Sequence, residues 1–311
     1  MPFEVQQSLI DKKAKFYVID AYSLAKSLGL GGRINVIMQT AFFAISGVLP
    51  EEKALKMIEL AVQDTYGDKG KAVVDMNIRA ASLAAERIQK VELPAKATSK
   101  IHMHPPVPAE APEFVQKVTA EMIAYRGDRL PVSLMPADGT YPAGTTKFEK
   151  RNIALEIPVW DPEVCIQCNQ CSFVCPHATI RVKAYEAKYA GAGAPPTFKS
   201  IDYKGKEYAG MKYTVQVAPE DCTGCGACVY VCPAYAKDEK GQKTDRKAIN
   251  MAPQPPIRES EAANWAYFLN LPDPDPKQAN RFSVKGSQFL PAMFEFSGAC
   301  GGCGETPYIK L

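Results

Sequence analysis

The chain is poor in histidine, in net charge and in long apolar runs, and each shortage closes off a class of function. Only His102, His104 and His177 are present among 311 residues. His102-Met-His104 can put two imidazoles on one strand face, but His177 is the sole candidate for a third ligand, so loop residues are expected rather than a histidine metal site. The formal net charge is +3, with basic residues spread along the chain, which is no footprint for nucleic acid. The longest apolar stretch, Ile34–Leu49, has 16 residues and contains Asn35, Gln39, Thr40 and Ser46. A membrane-spanning helix needs about 20 mostly apolar residues, so a buried helix is expected there and no membrane partner. The opening Met-Pro-Phe-Glu-Val lacks the basic-then-apolar order of a signal peptide. It enters domain-like sequence at once, so the expectation is a cytoplasmic chain that starts inside a larger fold.

Cysteine is what the chain does have. Eight of its ten cysteines form two runs, Cys165-x2-Cys168-x2-Cys171-x3-Cys175-Pro and Cys222-x2-Cys225-x2-Cys228-x3-Cys232-Pro. This is the bacterial ferredoxin spacing, in which three near thiolates wrap one face of a cubane and the fourth crosses to the other cluster. The expected sets are therefore Cys165, Cys168, Cys171 and Cys232 on one [4Fe–4S] cluster, and Cys222, Cys225, Cys228 and Cys175 on the other. Zinc takes its ligands in pairs and has no use for a third cysteine two residues on. Disulfides do not suit the spacing, and cluster chemistry fits a reducing, oxygen-poor cytoplasm. The small residues Gly224, Gly226 and Ala227 let backbone N–H groups face the sulfides.

Around this duplication the chain changes character. Residues 1–93 read as α/β: a strand at Phe16–Asp20, a helix at Ala21–Leu28, the Ile34 helix, a helix from Glu51 to Tyr66 behind Pro50, and one over 71–91. Only one clear strand is expected there. Pro94–Pro112 is proline-rich, as a linker or surface-hugging segment would be. Glu113–Arg126 is helical in pattern and 127–157 irregular. The stretch Pro176–Asp221 between the runs is longer than a minimal ferredoxin needs; Gly191–Pro196 marks a surface loop, and Lys199–Val217 carries the alternation of an extra hairpin. From Pro253 onward the expectation is extended, proline-dotted chain.

Two further motifs are open on residues alone. Cys300-Gly-Gly-Cys303-Gly-Glu305-Thr-Pro307 supplies two cysteines where a [4Fe–4S] cluster wants four. Half of a third cluster site, a redox dithiol and a structural pair all fit. Gly29-Leu-Gly-Gly-Arg33-Ile-Asn35 can bring backbone N–H groups toward a phosphate, yet it matches no dinucleotide or P-loop fingerprint, and a junction between helices fits as well.

Taken in order, Gly-Gly-Arg-Ile-Asn35, Met-Gln-Thr-Ala-Phe-Phe43, Phe-Glu-Lys-Arg151, the double ferredoxin run and Cys-Gly-Gly-Cys-Gly-Glu-Thr-Pro307 resemble the long single-chain pyruvate:ferredoxin (flavodoxin) oxidoreductases, as an internal piece of one. The resemblance implies an α+β multidomain chain. Residues 1–115 would be the C-terminal part of an α/β (oxidoreductase gamma-like) domain and 116–156 a small EKR-type linker domain. Residues 157–273 would be a 2[4Fe–4S] ferredoxin-like domain and 274–311 the start of a thiamine-diphosphate-binding domain. It further implies oxidative decarboxylation of pyruvate to acetyl-CoA and CO2 in the complete enzyme. That enzyme uses thiamine diphosphate with Mg2+, coenzyme A and three [4Fe–4S] clusters, passes electrons to ferredoxin or flavodoxin, and is a homodimer. Cys300 and Cys303 would be half the ligands of the third cluster, Glu305 a thiamine-diphosphate contact, and Asn35 and Asn77 coenzyme A contacts. Such a piece alone would be inactive. The reading from a different class is a self-contained 2[4Fe–4S] carrier that catalyses nothing.

Overall fold

The computed structural model describes residues 1–191, 193–299 and 305–310; Cys300 and Cys303 lie outside them. Met1–His104 and the residues from Pro105 onward make two units, each with its own interior.

The first unit runs α1 (Phe3–Asp11), β1 (Phe16–Val18), α2 (Ala21–Ser27), α3 (Asn35–Ser46), α4 (Glu51–Tyr66), α5 (Lys71–Glu86) and β2 (Gln89–Val91). Local signals set most boundaries. The Asp20 carboxylate accepts the Ser23 N–H at 3.0 Å and so caps α2. Gly29, at φ +79°, lies just beyond its end. Pro50 precedes α4, whose first turn holds Glu51 and Glu52. α3, α4 and α5 pack on one another, burying Val36, Ile58, Val62 and Ala81 together, while Ile37, Ala80 and Ala84 gather with α2. Two expectations need correction. The helix expected to reach residue 91 stops at Glu86, and Gln89–Val91 is instead a second strand, antiparallel to β1 with Phe16 opposite Val91. The backbone of β1 needs a hydrogen-bonding partner, and the end of a helix could not supply one. α1 was not anticipated, since none of its residues is buried. It is held by the proline-rich segment: Gln6 Oε1 accepts the N–H groups of Thr98 and Ser99, and Phe3 N–H donates to Ile101.

In the second unit five residues of π-helix, Val115–Thr119, lead into α6 (Ala120–Ile123). Then come β3 (Glu156–Trp160), α7 (Gln170–Val174), β4 (Ile180–Tyr185), β5 (Ile201–Asp202), β6 (Lys212–Val217), α8 (Ala227–Val231), β7 (Tyr235–Lys237), β8 (Lys243–Lys247), β9 (Ile249–Pro253), α9 (Arg258–Asn270), α10 (Val284–Ser287) and α11 (Thr306–Lys310). β3 pairs antiparallel with β9, which encloses both cysteine runs between two partnered strands. β4 pairs antiparallel with β6, and β5 joins β6, so the hairpin expected in 199–217 is present. α7 and α8, the one-turn helices carrying Cys171 and Cys228, pack on each other. The expectation of extended chain after Pro253 fails at α9, a 13-residue helix burying Asn264, Trp265 and Phe268. Its apolar residues are nearly consecutive from Ala262 to Leu269, so no helical stripe shows in the sequence.

Candidate iron–sulfur centre

Each run is a tight loop feeding a short helix. The second and fourth residues after the first cysteine are left-handed in both: Gln167 (φ 59°) and Asn169 (φ 62°), Gly224 (φ +69°) and Gly226 (φ +75°). This curl aims a backbone N–H at sulfur. Gln167 N–H donates to Cys165 Sγ and Gly224 N–H to Cys222 Sγ, each at 3.4 Å. Glycine meets the conformational demand in the second run, and at Gly224 an added Cβ would also lie 3.0 Å from the Glu156 carbonyl. In the first run the same conformation is held by buried polar side chains. Gln167 donates to the Asp202 carbonyl and accepts from Lys204 N–H, both at 2.8 Å. Asn169 donates to the Lys285 carbonyl and accepts from the Tyr213 hydroxyl, again at 2.8 Å.

The fourth cysteine of each run crosses over. Ionisation of Cys165 is opposed by the neighbouring sulfurs of Cys168 and Cys232, and that of Cys171 by Cys165, Cys168 and Cys232 among its neighbours. These four line one small cavity with Trp160 and Tyr213. Cys222 feels Cys175 and Cys225, and Cys228 feels Cys175, Cys222 and Cys225. Cys171 also feels Cys228, so the two groups abut across α7 and α8. Burial is the leading cause at every shifted thiol. It raises Cys165, Cys171 and Cys228 and pushes Cys222 up to about 12. Six of the eight thiols are buried; Cys168 is half-buried and Cys225 exposed. Sulfurs buried this deeply are nucleophilic or ligating only as thiolates, which a bound cationic iron centre stabilises. Among the described residues no three His, Cys, Asp or Glu side chains are placed to hold a single metal ion. The sulfurs of the first set line a cavity instead, and the two donor sets, with N–H groups on sulfur, fit two cubanes.

The residues around the second run were not anticipated. Lys150, in the Phe-Glu-Lys-Arg151 motif, pairs at 2.5 Å with Asp221, the residue before Cys222. Burial raises the Asp221 carboxyl above its ordinary range, against the pull of Lys150. Asn152 N–H donates to the Glu220 carbonyl at 2.7 Å. His177 is buried; burial, then the nearby Arg151 charge, holds its pKa down, so its imidazole is neutral near pH 7. Its carbonyl accepts Phe296 N–H at 2.9 Å and its Nδ1 lies 3.1 Å from Ser297 Oγ. His102 is exposed and pairs with Glu4, and His104 is exposed. Asn35 is an exposed first residue of α3. Asn77 is buried in α5, where its amide donates to the Val73 carbonyl at 2.8 Å. Glu305 is exposed, just ahead of α11. No helix among the described residues is long and apolar enough to cross a membrane.

Three family models match along the chain: pyruvate ferredoxin/flavodoxin oxidoreductase over residues 1–87, a domain of unknown function over 100–154, and a 4Fe-4S dicluster domain over 157–249. Relatives match throughout. The pyruvate-flavodoxin oxidoreductase of Nostoc sp. is 49% identical over 100% of this chain, which spans 26% of that protein. The pyruvate:ferredoxin oxidoreductase of Moorella thermoacetica and the probable pyruvate-flavodoxin oxidoreductase of Escherichia coli are each 48% identical, with the same 100% and 26% coverage. Over its whole length the chain is homologous to a stretch of the pyruvate ferredoxin/flavodoxin oxidoreductases. It spans about a quarter of the length of the curated relatives it matches. The mitochondrial pyruvate dehydrogenase [NADP(+)] of Euglena gracilis matches as well, 42% identical over 100% of the chain and 16% of its own length.

Proposed function

We propose that this chain is the electron-relay portion of a 2-oxoacid oxidoreductase that converts pyruvate and coenzyme A to acetyl-CoA and CO2 and passes the electrons to ferredoxin or flavodoxin. The observation that carries the reading is the cavity that Cys232 lines with Cys165, Cys168 and Cys171, while Cys175 neighbours Cys222 and Cys228. Cys165, Cys168, Cys171 and Cys232 hold one [4Fe–4S] cluster; Cys222, Cys225, Cys228 and Cys175 hold the other. When bound, the clusters supply one-electron storage that no side chain offers. The chain's own part is to bury the sulfurs, aim N–H groups at them and keep the two sets adjoining.

Cys300 and Cys303 contribute half of a third cluster site, and Glu305 contacts thiamine diphosphate with its Mg2+. The contacts of His177 with Phe296 and Ser297 support this, because that stretch leads to Cys300 and is tied to residues beside Cys175. The second set is then the middle of the relay. Asn35 and Asn77 face coenzyme A in the assembled enzyme. The segments are 1–115, 116–156, 157–273 and 274–311, as the resemblance implies, in a cytoplasmic homodimer.

The test has two parts. Anaerobically reconstituted chain should hold about eight iron atoms, the content of two cubanes. A chimera in which this chain replaces the matching stretch of the Moorella thermoacetica protein should reduce methyl viologen with pyruvate and coenzyme A. A chimera that loads its clusters but leaves the dye oxidised would reduce the chain to a carrier without catalysis.

A further inference from the structure

The internal duplication is broken where side chains meet sulfur. The repeat extends upstream of the cysteines, with Asp161-Pro-Glu163-Val-Cys165 matching Ala218-Pro-Glu220-Asp-Cys222. In that register Trp160 corresponds to Val217 and Thr179 to Ala236. Each half therefore has one hydrogen-bond donor that its counterpart lacks.

Trp160 ends β3, is 4% exposed, and lines the cavity formed by Cys165, Cys168, Cys171 and Cys232. Its ring stands edge-on to Tyr213, centroids 5.9 Å apart. Among the described residues its indole Nε1 is one of three buried side-chain polar atoms without a hydrogen bond of ordinary geometry. A buried N–H without an acceptor is costly, so an acceptor that arrives with the cofactor explains it. Thr179 is 2% exposed, with Oγ1 3.3 Å from Cys175 Sγ. Once Cys175 is a thiolate, only the hydroxyl can donate. The backbone donors do not distinguish the halves, since Gln167 and Gly224 lie at the same 3.4 Å from Cys165 and Cys222.

We propose that Trp160 and Thr179 set the reduction potentials of the two clusters separately, each donating a hydrogen bond to sulfur in one set only. The inference rests on the ligation proposed above. A donor on a ligand sulfur stabilises the more negative, reduced cluster and raises its potential. Two clusters built from one repeated backbone loop thereby acquire independent potentials, which a directional relay requires.

The experiment is an EPR-monitored redox titration of the anaerobically reconstituted 311-residue chain. The two signals are assigned beforehand with Cys168→Ser and Cys225→Ser. Trp160 is replaced by 3-benzothienylalanine, which keeps the ring shape and removes the N–H. The potential of the Cys165 set should move negative and that of the other set stay put. Thr179→Val, close in shape, should do the reverse. Loss of one exchangeable-proton coupling at the matching cluster in ENDOR spectra would accompany each shift. The proposal is overturned if iron remains at about eight per chain and neither potential moves, or if both move together in either variant. A chain that assembles no clusters overturns the ligation and this inference together.

Discussion

Lys150 holds a buried carboxylate in place, and removing it should weaken the second unit around Cys222. The Asp221 side chain is 4% exposed and the Lys150 side chain 31% exposed, with 2.5 Å between charged atoms. Stripping one partner from a fully buried pair costs about 3–5 kcal/mol, because the remaining charge is left unpaired out of water. Lys150 is partly solvated, so about 2–3 kcal/mol is expected for Lys150→Met, with the apolar stem retained over Phe296. For a unit of this size that lowers the thermal midpoint by about 4–12 °C. The sign of the pH dependence follows from the carboxyl group. Its folded pKa is already raised, and losing Lys150 raises it further. The variant's deficit is therefore full above its own folded pKa, shrinks as pH falls through it, and vanishes below the folded pKa of the parent chain. The assay is anaerobic thermal unfolding of the cluster-loaded chain at several pH values, with Asp221→Asn and the double variant completing a cycle. Coupling below about 0.5 kcal/mol, or a deficit that does not shrink as the pH is lowered towards the acid limit of the folded chain, would refute the reasoning.

Three other outcomes are expected. Cys175→Ala should disturb the EPR signal of the cluster held by Cys222, Cys225 and Cys228; selective loss of the other signal would show that the fourth cysteines do not cross. Gly226→Ala should cost about 1–2 kcal/mol from left-handed strain alone, since an added Cβ there has nothing within 4 Å. Gly224→Ala should cost more, because its Cβ also meets the Glu156 carbonyl; equal costs in urea unfolding would contradict the geometry. Chelating the iron should shift tryptophan emission to the red, because both tryptophans, Trp160 and Trp265, are buried in the second unit and six cysteines belong to its interior. The helical circular dichroism contributed by residues 1–104 should largely persist. An unshifted emission would mean that the second unit packs without its clusters.

The cysteine spacing was readable because cubane geometry constrains sequence directly: three sulfurs on one tight loop leave few backbone solutions. The helices bounded by Pro50 or Gly29 were readable for a similar local reason. What stayed hidden depends on partners far along the chain. β2 exists only because β1, more than 70 residues earlier, needs its backbone paired. α9 shows no apolar stripe because its apolar residues run together, and its buried side is set by contact with β6. Lys150 and Asp221 are 71 residues apart, and nothing in either neighbourhood announces the pair. Trp160 and Thr179 stand out only when the two halves are superposed on the repeat.

The long insertion between the runs acquires a purpose from the same asymmetry. The second run bends with glycines and needs little support. The first bends with Gln167 and Asn169, and a left-handed L residue costs about 1–2 kcal/mol that must be offset by fixed contacts. The contacts for Gln167 come from Asp202 and Lys204, and the acceptor side of Asn169 is filled by Tyr213. All three partners lie between Pro176 and Asp221, where a minimal ferredoxin has no chain to spare. Shortening the insertion past β5 should therefore release the first run while leaving the glycine-built second run able to curl. The insertion thus supports the first cysteine run, through the residues that hold the curl at Gln167 and Asn169.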